Sequence, residues 1–131
     1  MNPIREQIRS TIRVEPREGG FRALFDVGAG LSVLPDHFPN RPILPGICMI
    51  QAVLLAGAQR QGIADLRMHA MKNAKWLQPI GPGQQVVIDA DMTLSGDGVF
   101  HIKAKLSAEG KRCAEFSLLA RAIAVEEGAQ A

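Results

Sequence analysis

The chain has only two cysteines among its 131 residues, which is no disulfide framework. Cys48 lies in an apolar stretch and Cys113 in a strand-like one, so both read as buried free thiols of a reducing compartment. Neither sign of charge dominates. Fifteen Lys and Arg against thirteen Asp and Glu leave a formal net charge of +2, too little to suggest nucleic-acid binding. No segment has the length and purity of a membrane span. Met1 to Ile12 carries Arg5, Glu6 and Arg9 with no apolar run behind it, so no signal peptide is read there, and a cytoplasmic protein is expected. Repeats and linkers are absent too. His69 and His101 have no second ligand at metal spacing, and Gly81-Pro82-Gly83 lacks the spacing and lysine of a phosphate loop. No metal or cofactor is therefore implied. With 47% apolar and 21% charged residues, the chain reads as one globular domain over 1–131. Its core is expected over about 21–122, with a frayed tail at 123–131.

What is present centres on Asp36-His37-Phe38-Pro39-Asn40-Arg41-Pro42-Ile43-Leu44-Pro45-Gly46 and the apolar run behind it. Pro39, Pro42 and Pro45 fix φ and remove backbone donors, so this stretch is neither helix nor central strand. From Gly46 to Ala56 the composition is Ile, Cys, Met, Ala, Val and Leu, the mark of a helix buried on all sides. Gln51 is its one strongly polar residue. A buried amide without partners costs roughly 1–3 kcal/mol, so Gln51 must be hydrogen-bonded or line a cavity. It is either a satisfied core amide or a site residue facing His37.

Around this helix the chain reads as strands and turns. Ile4, Ile8 and Ile12 at four-residue spacing suit a short amphipathic helix or turn, and Gly19-Gly20 marks a turn. Strands are expected over 21–27, 67–77, 85–94, 99–106 and 111–122. They are separated by Gly81-Pro82-Gly83, Ser95-Gly96-Asp97-Gly98 and Glu109-Gly110. One apolar helix with five or six strands in hairpins is an α+β arrangement, solved by a curved antiparallel sheet wrapped around the helix.

His-Phe-Pro-x-x-Pro-x-x-Pro-Gly followed by an apolar helix resembles the β-hydroxyacyl-acyl-carrier-protein dehydratases of the FabZ/FabA type. Ala74-Lys75-Trp76-Leu77-Gln78-Pro79-Ile80-Gly81-Pro82-Gly83 is similar to that family's strand and turn. The likeness covers Phe21 to Ala122. It implies the hotdog fold, a homodimer joined edge to edge or a trimer of such dimers, and dehydration of a 3-hydroxyacyl thioester carried by acyl carrier protein. That reaction needs a base for the C2 proton, an acid for the departing hydroxyl and a donor for the thioester carbonyl. By this likeness His37 falls on the base and Gly46 on the residue whose N–H polarises the carbonyl. A helix N-terminus suits that last role. Pro45, Ile47, Ile50 and Leu54 are candidate walls for the acyl chain. Arg41 and Lys75, which flank the two motifs, are candidates for docking an acidic carrier protein.

The family's acid falls on Gln51, and an amide cannot deliver a proton near neutral pH. Several accounts follow. Asp36 or an ordered water could replace the acid, although neighbours on an extended segment point apart. Gln51 could stand where a Glu was substituted. The chain could be an acyl-binding subunit paired as a heterodimer with an acid-bearing hotdog chain. An acyl thioesterase ranks behind these, because it wants a carboxylate near the thioester carbon.

Overall fold

A computed structural model describes residues 3–28, 44 and 46–123. The elements are α1 (Pro3–Arg9), β1 (Arg13–Arg17), β2 (Gly20–Asp26), α2 (Gly46–Gln61), β3 (Asp65–Trp76), β4 (Gln85–Leu94), β5 (Phe100–Ala108) and β6 (Lys111–Ile123). The strands form one antiparallel sheet in the order β1-β2-β4-β5-β6-β3. α2 packs against it, and the architecture is the expected hotdog. Alternation decides the faces. Ile88, Ala90, Ile102, Ala104, Leu106, Phe116, Leu118 and Ala120 point into the core, while Asp89, Lys103 and Lys105 point away on the same strands.

Two features depart from the sequence reading. Arg13–Arg17 is a strand, whereas its charges and Pro16 gave no period-two signal. It lies at the sheet edge, where a proline need not donate to a neighbour. The core also begins earlier than Phe21, since Ile8 and Ile12 are buried within it. Gly20 explains the tight approach of β2 to β4. A Cβ there would lie 1.9 Å from the Ala90 carbonyl oxygen.

α2 is buried from Cys48 to Ile50 and from Ala52 to Ala58, but not on every side. Ile47 is 55% exposed and Gln51 is half-buried, so one flank of the helix is open. Its end is set locally. Gly62 adopts φ +66, its N–H donates to the Gln59 carbonyl at 3.2 Å, and the Ile63 N–H donates to the Ala58 carbonyl at 3.1 Å. This is the paired capping that a left-handed glycine permits. Arg60 then donates to the Gly20 carbonyl at 2.9 Å, tying the helix end to the β1–β2 hairpin.

Candidate active site

The helix start brings the two sequence motifs together. Trp76, the last residue of β3, lays its indole against Gly46. A Cβ at Gly46 would meet three ring atoms at 3.1–3.3 Å. The absence of a side chain at Gly46 therefore makes room for this indole first. Trp76 also packs on Phe116, with centroids 5.7 Å apart, and is 50% exposed. The backbone N–H groups of the first turn of α2 lack partners within the helix, as at any helix N-terminus.

Along the open flank of α2 runs a groove of about 400 Å³ lined by Ile47, Ile50, Gln51, Leu54, Asp65, Leu66, Arg67, Met68 and Ile123. Ile47, Gln51 and Leu54 share that flank because residues three and four apart are neighbours on a helix. Helix side chains lean toward the N-terminus, so the Gln51 amide covers the turn carrying Ile47. Gln51 thus lines a cavity, the second of the two arrangements open to a lone amide in an apolar helix. Ile50 and Leu54 are buried residues that also border the groove.

Of the expected site residues, Ile47, Ile50, Gln51 and Leu54 line this groove, while Gly46 stands at the start of the same helix against Trp76. His37, Arg41, Pro45 and Asp36 lie outside the described residues. Lys75 sits elsewhere. It lines a groove on the opposite face of the sheet with Asn73, Lys103, Lys105 and Glu115, away from the flank that carries Gln51.

One carboxylate in the groove had no sequence signal. Asp65 opens β3, and its Oδ1 accepts the Leu66 N–H at 2.9 Å. Its position decides its role. A Cβ at Gly57 would lie 3.1 Å from Leu66 Cδ1, so β3 runs antiparallel to α2, with Leu66 beside Gly57 and Trp76 beside Gly46. Those glycines are about 16 Å apart along the axis at roughly 1.5 Å per residue. Asp65 therefore borders the end of the groove beside the C-terminal half of α2, away from the helix start.

Cys48, in the first turn of α2, is not an activated thiol. Burial pushes its pKa up to about 11, which overrides any lowering by the helix N-terminus. His69 and His101 are exposed strand residues, and no cluster of three metal-ligating side chains exists among the described residues. None of the described helices is long and apolar enough to cross a membrane.

Comparison with known proteins places this arrangement. The chain is 26% identical over 117 residues to the 3-hydroxyacyl-[acyl-carrier-protein] dehydratase FabZ of Burkholderia lata, covering 82% of this chain and 75% of that protein. The FabZ of Polaromonas naphthalenivorans is 28% identical over 128 residues, covering 89% and 88%. Among solved structures, the dehydratase heterocomplex ApeI:P from Xenorhabdus doucetiae superposes with a TM-score of 0.61 at 15% identity, over 83% of this chain and 94% of that one. The PaaI protein of E. coli superposes at 0.62 with 16% identity, over 84% and 82%. At those identities the likeness is one of fold. The ApeI-like family, described as ApeI dehydratase, matches residues 13–117. The chain belongs to the ApeI-like dehydratase family.

Proposed function

We propose that the chain binds 3-hydroxyacyl thioesters and carries a dehydratase site whose acid position is occupied by Gln51. The observation that carries this reading is the groove, which holds Gln51 among Ile47, Ile50 and Leu54 beside the N-terminus of α2. The thioester carbonyl is held by the Gly46 N–H, with the acyl chain against Ile47, Ile50, Leu54 and Pro45. His37 takes the C2 proton, a role that suits histidine because a free imidazole, with a pKa of about 6.5, is largely neutral at pH 7. The C3–O bond breaks as the C2=C3 bond forms, and the hydroxyl leaves as water on taking a proton from an ordered water that stands in for the missing carboxyl. Gln51 can hydrogen-bond that hydroxyl but cannot supply the proton.

General acid catalysis contributes about 10²–10⁴-fold. Gln51→Glu is therefore expected to raise turnover of a 3-hydroxyacyl thioester by about that factor, and His37→Ala to silence both forms. Turnover of the native chain that survives His37→Ala would remove the assigned base.

A second reading is favoured by the open flank of the groove. Among the described strands β3 lies outermost, beside β6, and another hotdog chain pairing there would close the groove and bring its own acid. The relatives' names make acyl carrier protein the expected thioester donor. Arg41 and Lys75 are proposed as its docking charges. Unchanged carrier affinity after reversal of both would end that assignment.

A further inference from the structure

Among the described residues the aromatic rings belong to the core, with one exception. Phe21, Phe25, Phe100 and Phe116 are 7% exposed or less, whereas Trp76 is 50% exposed. An indole carries a large apolar area, and leaving half of it in water forfeits much of what burial would contribute. Yet the ring is firmly held. Trp76 pairs with Ala114 of β6, and the N–H groups of Leu77 and Gln78 both donate to the Cys113 carbonyl, at 2.8 and 3.2 Å. The buried Phe116 backs the indole at 5.7 Å with a 44° tilt. Two residues before Gly46, the Leu44 N–H donates to the Ile80 carbonyl at 2.6 Å. The two motifs are thus tied by backbone as well as by the indole.

The ring reaches Gly46 with its far edge. Cη2, Cζ2 and Cζ3 lie 3.1–3.3 Å from where a Cβ would stand. With about 100° of turn per residue, the Cβ direction of Gly46 is about 40° from that of Ile50. Leu54, Ile47 and Gln51 follow further round the same way, so the indole flanks the head of the groove and does not fill it. Water is kept from that side of the helix start. A donor fixed by packing and partly shielded from water binds developing negative charge more strongly than a hydrated one.

We infer that Trp76 is a positioning residue, whose indole fixes and shields the Gly46 N–H and so acts on the thioester carbonyl through Gly46. This rests on the carbonyl being held there, as read under the proposed function. Negative charge builds on the carbonyl oxygen as C2 loses its proton. A misdirected donor therefore slows the chemical step more than it weakens binding of the ground state.

The Gln51→Glu form supplies the turnover to measure. In it, Trp76→Ala is expected to lower kcat about tenfold, part of the roughly 10²–10³-fold that loss of a whole donor costs. KM should stay within about threefold, since ground-state binding is largely spared. Trp76→Phe, with a shorter ring, should fall between. Gly46→Ala should lower kcat too, and combining it with Trp76→Phe should recover most of the loss, because the added methyl fills the space the shorter ring leaves. Trp76 is also the only tryptophan, so the native chain reports on itself without any variant having to fold. Its emission should move to shorter wavelength as hexanoyl-coenzyme A, which has no 3-hydroxyl to lose, binds with the midpoint that calorimetry gives. Binding seen by calorimetry with unmoved emission, or variants that raise KM and spare kcat, would overturn the positioning role and leave the proposed function standing. If hexanoyl-coenzyme A does not bind and Gln51→Glu turns nothing over, the proposed function falls and takes this assignment with it.

Discussion

Gly46 and Trp76 fix the start of α2 by mutual exclusion. Gly46→Ala places a methyl group 3.1–3.3 Å from the indole, so either the ring or the helix start must shift. A loss of about 1–3 kcal/mol is expected from such overpacking, read by urea denaturation. Adding Trp76→Ala should recover most of the penalty specific to the contact, because the two residues are coupled directly. Cys48 gives a pH signature. Its folded pKa is raised to about 11 from an ordinary 9.0, so between those values the folded chain holds a proton that the unfolded chain has released. Its stabilising contribution is complete below pH 9.0 and is lost as pH rises toward about 11. Denaturation midpoints should fall over that window, and Cys48→Ala should flatten the fall. At this scale the sequence made Gln51 conspicuous, because one amide in an apolar helix has few places to go. It could not reveal that Trp76 fills the space beside Gly46, a contact between residues distant in the chain.

The elements were legible where a local rule governs them. The β5–β6 hairpin turns on Glu109 at φ 52 and Gly110 at φ 77, the left-handed pair that a two-residue hairpin requires. Glu109→Asn should stabilise the fold by up to about 1 kcal/mol, since asparagine tolerates that conformation better. A lower thermal midpoint would contradict this. α2 was visible from its unbroken apolar run. β1 was not, because an edge strand with Pro16 and three charged residues is held by pairing with β2, which no window of its own sequence reports. The open flank of α2 was also hidden. Apolar composition all round a helix says that it wants cover, not which neighbour supplies it.

Across the whole molecule, the strand count and hairpin turns specified a sheet around a helix, and the proline-rich motif specified which one. Hairpins join neighbours β1–β2, β4–β5 and β5–β6, so that part of the topology follows from short turns. The placement of β3 beside β6 is non-local, and it decides everything about the site. It sets the second motif against the first, leaves β3 at the rim, and leaves the groove beside α2 bounded by that rim.

A groove walled on one side by an unfinished rim ties what the protein does to how much of it there is. Under the proposed edge pairing, dilution separates the two halves of such a site before either half unfolds. Activity per chain should therefore sag at low concentration while the circular dichroism stays flat, and a suitable companion chain should restore it.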